Sequence, residues 1–304
     1  MRVAFALSGG GNLGALQAGS MRALVEAGVE PDLLVGASIG ALNAAFCATH
    51  PGSAGCTRLE AAWRDLKRRD VFRFELSRAV VGFLGLRDHL VATKRLEQII
   101  RKWLGITRIE EAAVPFGAVA TDALTGEIVV MTSGDVASAL LASAAIPGIF
   151  APVRREGRWL VDGSLSAGCP ALEAIELGAD EVYAFMTTTA PRRRPPRGAV
   201  AAAMSSVSLL TSKLQGSRLE TAERSATERG GAVHLVPSPF PGAPSPFDFQ
   251  HGGQLAASGY RRTVIWLAER DKGHGQQSAV SRIDDDLSRP ERGRSSGAVN
   301  PAAR

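Results

Sequence analysis

Residues 33–46 read LLVGASIGALNAAF and set one serine, Ser38, between two glycines, Gly36 and Gly40. An apolar run at 33–35 precedes the serine, and an apolar helical stretch from 39 to about 49 follows it. The pattern G-x-S-x-G therefore falls on a strand–turn–helix junction, the setting of a nucleophile elbow. The flanking glycines let the backbone turn sharply without Cβ clashes. The serine hydroxyl is then presented at the carboxyl edge of a sheet, beside a helix N-terminus. In a chain with 33 glycines among 304 residues the pattern alone also arises by chance, so its surroundings have to decide.

Toward the N-terminus, residues 3–7 read as a short buried strand and Ser8-Gly9-Gly10-Gly11 as a turn. Residues 13–27 carry Leu13, Leu16, Met21, Leu24 and Val25 at helical spacing, and Gly28 closes that helix. The order strand–helix–strand–helix predicts a parallel sheet with helices packed on it. Further along, helices are expected at 56–67, at 93–104 with Thr93 as cap, and at 136–145, ended by Ile146-Pro147-Gly148. A hairpin is expected from 116–123 and 127–132 around Leu124-Thr125-Gly126. A strand at 159–161 runs into Asp162-Gly163, and a helix at 170–177 follows with Pro170 in its first turn. After a strand at 181–186 come an alanine-rich helix at 199–229 and a strand at 232–236. A final amphipathic helix at 254–269 is expected to anchor through Tyr260, Val264, Trp266 and Leu267. The domain reading is a single unit over residues 1–270, with the basic, proline-rich loop PRRRPPRG at 191–198 inside it. Residues 271–304 offer almost nothing apolar and are expected to form a disordered tail.

Gly9-Gly10-Gly11-Asn12-Leu13-Gly14 also satisfies G-x-G-x-x-G. Such a loop is a plain turn, a pyrophosphate site at a helix N-terminus, or an oxyanion hole built from exposed amides. A dinucleotide site wants an acidic residue at the end of the second strand. Here that strand ends Val35-Gly36-Ala37-Ser38, while Glu30 and Asp32 precede it. The oxyanion reading fits better, and a non-catalytic nucleotide-binding protein is the rival from another class.

A serine needs a base within hydrogen-bond reach. Of the histidines, His50 lies at the far end of the elbow helix, His89 in an apolar insertion, His234 in a strand and His274 in the tail. His251 is the loop candidate that would complete a Ser–acid–His triad. The other candidate is Asp162, a carboxylate at the end of an apolar strand, whose proton affinity partial burial would raise. Asp-Gly is also a common turn pair.

Composition narrows the rest. A net charge of +5 is modest, and no basic cluster interleaves with aromatics, which argues against nucleic acid. Cys47, Cys56 and Cys169 are an odd, widely spaced set, read as buried thiols. No metal-ligand spacing occurs, so no metal is expected. The N-terminus lacks a signal-peptide core and no apolar span has membrane length, so a cytoplasmic location is expected. Residues 71–90 mix Phe72, Phe74, Val80, Val81, Phe83, Leu84 and Leu86 with arginines. They are the best candidate for an apolar entrance that meets an anionic lipid surface, or else they cover the sheet or line a pocket.

Three ordered motifs, Gly9-Gly10-Gly11-Asn12-Leu13-Gly14, Gly36-Ala37-Ser38-Ile39-Gly40 and Asp162-Gly163-Ser164, together resemble the patatin-like phospholipases. The segment Ala142-Ser143-Ala144-Ala145-Ile146-Pro147-Gly148-Ile149-Phe150 is similar to the one before that family's Asp-Gly. The resemblance implies a three-layer α/β/α sandwich around a mainly parallel sheet. It implies Ser38 as nucleophile, Asp162 as base, and an oxyanion hole at Gly9, Gly10, Gly11 and Asn12, with Gly14, Gly36, Gly40 and Gly163 as motif glycines. The reaction implied is hydrolysis of a (phospho)lipid ester, of the phospholipase A or lysophospholipase kind, without metal or cofactor; acyl transfer or thioester hydrolysis by the same dyad is the nearest alternative. Two departures stand out: Leu13 where the family usually has Arg or Lys, and Ser164 where it usually has Gly or Ala. Head group, chain length and oligomeric state are not legible.

Overall fold

A computed structural model describes residues 1–66, 94–187, 198–237 and 249–271. The apolar segment at 71–90, residues 191–197 of the proline-rich loop and the tail beyond residue 271 lie outside the described residues.

Among the described residues eight strands form one sheet. Its centre is parallel: β1 (Val3–Leu7) lies between β2 (Leu33–Ala37) and β7 (Glu181–Phe185), β3 (Phe116–Asp122) flanks β2, and β8 (Ala232–Leu235) flanks β7. β4 (Ile128–Met131), β5 (Val153–Arg155) and β6 (Arg158–Asp162) add antiparallel pairings on the β3 side. β5 has no counterpart in the sequence reading, because three residues are too few to show a period.

Side chains of the central strands alternate between two apolar layers, as a strand buried on both faces requires. Phe5, Leu7, Leu34, Tyr183 and Phe185 face one layer, with α1 (Gly14–Glu26), α2 (Ile39–Thr49), α3 (Gly52–Asp65), α4 (Lys94–Leu104) and α5 (Val136–Ser143). Ala4, Ala6, Val35, Ala37, Val182 and Ala184 face the other, with α6 (Ala171–Glu176) and α7 (Ala199–Glu228). The result is the expected three-layer sandwich.

α8 (Gly252–Asp271) packs along α1, though not through all of its expected anchors. Val264 is exposed, while Leu255, Ala256, Ser258 and Thr263 are buried. A Cβ on Gly19 would collide with the Ala256 carbonyl, and one on Gly259 with the Leu16 carbonyl. Small residues bring the two backbones together, and an amphipathicity argument based on large side chains overlooks them. Trp266 and Leu267 do pack against the core edge.

β3 decides where the site forms. Ala118 and Val119 pair with both β2 and β4, while Ala120 and Thr121 pair with both β4 and β6. A strand has two edges, so β2 and β6 share one of them. β2 ends with Ala37 opposite Val119, and β6 ends with Asp162 opposite Ala120. The two strands thus meet head-on, carboxyl end to carboxyl end, over adjacent residues of β3.

Candidate active site

Ser38 occupies the junction between β2 and α2 with φ 55° and ψ −125°. A non-glycine residue at positive φ is strained, by about 1–3 kcal/mol, and persists where its surroundings over-determine it. Those surroundings are visible. The Ser38 N–H donates to Ser143 Oγ at 2.9 Å, and Ser143 Oγ donates to the Val119 carbonyl at 2.5 Å. A Cβ on Gly36 would strike the Gly40 backbone, and one on Gly40 would strike the Leu7 and Ser8 carbonyls. Both motif glycines are therefore needed for close backbone approach, and the end of β1 presses directly on the elbow.

Asp162 is the last residue of β6. Its N–H donates to the Ala145 carbonyl at 3.0 Å, and its own carbonyl accepts from Thr121 Oγ1 at 2.9 Å. A Cβ on Gly163 would strike the Val119 carbonyl, so the chain turns tightly against β3 there. The carboxylate is held at both oxygens: Ser164 N–H donates to Oδ1 at 2.8 Å, and Ser38 Oγ donates to Oδ2 at 2.6 Å. Asp162 and Ser38 are both buried. Burial pushes the Asp162 carboxyl above its ordinary value, and the hydrogen bonds from Ser38 and Ser164 oppose that rise.

The glycine loop lies against this pair. A methyl on Gly9 would sit 3.0 Å from Ser38 Cβ and would overlap Ser164 Oγ. Gly10 has φ 149° and Gly11 φ 60°, both in the region that favours glycine. A short 3₁₀ turn, Gly11–Leu13, then leads into α1 from Gly14. Asn12 and Leu13 are buried in this turn. Leu13, where the family usually carries a cation, is an apolar core residue here.

A buried polar frame holds the loop in place, and the sequence reading missed it. Gln17 Nε2 donates to the Ser8 carbonyl at 2.8 Å, Asn43 Nδ2 donates to the Gly14 carbonyl and to Gln17 Oε1, each at 2.9 Å, and Trp63 Nε1 donates to Asn43 Oδ1 at 3.0 Å. On the other side Thr187 N–H donates to Ser8 Oγ at 2.8 Å, and Thr187 Oγ1 bonds the Gly9 carbonyl. Gln17 and Asn43 stand among apolar neighbours of two helices, which is the signal that marks a buried polar role.

Two of the described histidines are engaged away from Ser38. His50 stacks on Phe46 and bonds Thr49, and His234 pairs with Glu181. His251 closes a 3₁₀ turn, Phe249–His251, whose Phe249 stacks on Trp63. His89 and His274 lie outside the described residues. The three cysteines are buried and free. Among the described residues, Asp162 accepts the hydrogen bond of the Ser38 hydroxyl.

The sandwich, the elbow and the glycine loop define an α/β protein with a serine–carboxylate pair at the sheet edge. The patatin-like phospholipase family model matches residues 5–175, more than half of the chain, and the chain belongs to that family. It is 33% identical over 181 residues to the uncharacterized NTE family protein Rv1063c of Mycobacterium tuberculosis, across 59% of this chain and 47% of that one. It is 26% identical over 204 residues to the lysophospholipase NTE1 of Mycosarcoma maydis, across 63% of this chain and 10% of that one. The chain spans about half the length of the mycobacterial relative. Among solved structures VipD of Legionella pneumophila aligns with TM-score 0.46 and 17% identity, over 88% of this chain and 67% of that one.

Proposed function

We propose that the protein is a serine acyl hydrolase that cleaves a carboxylic ester of a lipid through a Ser38–Asp162 dyad. The observation that carries this reading is the 2.6 Å hydrogen bond from Ser38 Oγ to Asp162 Oδ2. Membership of the patatin-like phospholipase family supports the lipid class, as does the name of the lysophospholipase relative.

In this mechanism Asp162 takes the Ser38 proton as Oγ attacks the ester carbonyl. Burial raises the proton affinity of the carboxylate and so makes it a better base. The carbonyl oxygen becomes an alkoxide that the amides of the Gly9–Asn12 loop stabilise, because fixed donors there need no reorganisation during the step. The leaving alcohol collects the proton from Asp162, and Ser38 is left as an acyl ester. Water, deprotonated by Asp162, attacks that ester and restores Ser38. No step needs a metal or a histidine.

Hydrolysis of a panel of lipid esters by the purified protein tests the reading. Release of fatty acid from at least one phospholipid or lysophospholipid, lost in Asp162→Asn, is the expected result. Equal release by wild type and Asp162→Asn would overturn the dyad. Transfer of the acyl group to an added alcohol in preference to water would move the reading to acyl transfer.

A further inference from the structure

α7 is 30 residues long, far longer than the strands it crosses. Its C-terminal end is tied to the amino edge of the sheet. Arg229 Nη1 donates to the Ile175 carbonyl, and Ala232 N–H donates to the carbonyl of Asp180, the residue before β7. Midway along, Gln215 lies against Gly168, a few residues past Asp162 and so at the site's edge of the sheet. Residues 199–214 precede that contact. At helical rise they extend about 24 Å past it, beyond the edge where Ser38 sits.

Among its described side chains, three leucines near its end face water. Leu209 is 66% exposed, Leu210 69% and Leu214 43%. The face of α7 turned to the core is marked by Leu219, Ala222 and Ala226, all buried. At about 100° per residue, Leu210 and Leu214 stack one turn apart on the side opposite that stripe. Exposed Lys213 lies between them and Leu209. Charge segregates along the same helix: residues 199–218 contain no Asp or Glu, whereas Glu220, Glu223 and Glu228 all fall in the final third. Just before the helix the sequence carries Arg192, Arg193, Arg194 and Arg197. A second exposed apolar pair, Leu124 (81%) and Trp159 (44%), follows the carboxyl end of β3 on the same side of the molecule.

We propose that the outer face of the first half of α7 docks on an anionic lipid surface, with Leu209, Leu210 and Leu214 entering the headgroup boundary and Lys213 meeting the surface charge. Apolar residues that face water on a projecting helix mark an interaction surface. An exposed lysine on a helical stretch without Asp or Glu selects an anionic partner over a neutral one. The docked face would hold the site edge toward aggregated substrate. In that respect the proposal rests on the lipid-hydrolase reading, although the docking itself does not.

The test uses the full chain carrying Ser38→Ala, so that vesicles are not consumed, and measures co-sedimentation with phosphatidylcholine vesicles with and without phosphatidylglycerol. Binding is expected with phosphatidylglycerol and weak without it. Leu210→Ser with Leu214→Ser should weaken it at least about tenfold, and Lys213→Glu should weaken it on its own. The same changes on the Ser38 background should leave the melting temperature and turnover of a soluble short-chain ester unchanged. Unaltered vesicle binding in both variants would overturn the proposal. So would a stable dimer that Leu210→Ser with Leu214→Ser converts to monomer, since a second copy would then cover the face. If wild type binds vesicles through these residues but turns over no ester, the docking stands and the hydrolase reading falls.

Discussion

Ser143 Oγ accepts a hydrogen bond from the N–H of Ser38 and donates one to the carbonyl of Val119. One buried hydroxyl thus joins the elbow to β3, the strand against which β6 holds Asp162. Ser143→Ala leaves the Ser38 N–H buried without a partner, at a cost of about 1–3 kcal/mol. A lower denaturation midpoint at unchanged slope is expected, with reduced turnover because the strained elbow relaxes. A midpoint equal to wild type would show that the clamp contributes nothing.

Asp162→Asn should separate stability from activity. The folded state raises the carboxyl's pKa, so ionisation of Asp162 costs stability, and the cost grows as pH rises through that shifted value. The amide is isosteric and carries no charge to desolvate. The variant should therefore melt at or above the wild-type temperature near neutral pH, with the difference shrinking toward acid. Turnover should be abolished. Melting curves across a pH series check the sign, and a variant less stable at neutral than at acid pH, relative to wild type, would contradict it.

The pH–rate profile follows from the same shift. The base works only when ionised, so kcat/KM should fall on the acid side. The midpoint of that limb should lie above the ordinary carboxylate value of about 4. Each single histidine-to-glutamine change should leave the limb where it is. Loss of the limb in His251→Gln, with stability intact, would restore a triad.

Gly9→Ala tests the loop. Its methyl would overlap Ser164 Oγ and crowd Ser38 Cβ, so either the loop or the dyad must shift. A displacement of about 1 Å at reacting groups costs on the order of a hundredfold in rate. A loss in kcat larger than the change in KM is expected. Full activity would place the oxyanion donors elsewhere.

The order of elements was legible because each central strand is a short apolar run bounded by glycine or a helix cap. β1, α2 and the β3–β4 hairpin illustrate this. The meeting of Ser38 with Asp162 was expected for a partly different reason: both residues were placed at the ends of strands on a common edge, whereas β6 runs antiparallel and reaches β2 head-on along β3. Strand direction depends on pairing across some forty residues, and local periodicity does not carry it. The frame of Gln17, Asn43, Trp63 and Thr187 escaped for a related reason. Its members come from four separate stretches of chain, each unremarkable alone. The exposed leucines of α7 were hidden by composition, since an alanine-rich helix with scattered leucines looks the same whichever face is buried.

The central claim is that Ser38 is the nucleophile and that Asp162 activates it. Its most direct measurement is covalent labelling by a fluorophosphonate, read by mass spectrometry of the intact protein and its peptides. Wild type should gain one adduct on the peptide containing Ser38. Ser38→Ala should gain none, with its fold intact and ester turnover reduced by about three orders of magnitude or more. Asp162→Asn should label far more slowly. An adduct on any other residue, or turnover retained in Ser38→Ala, would contradict the account.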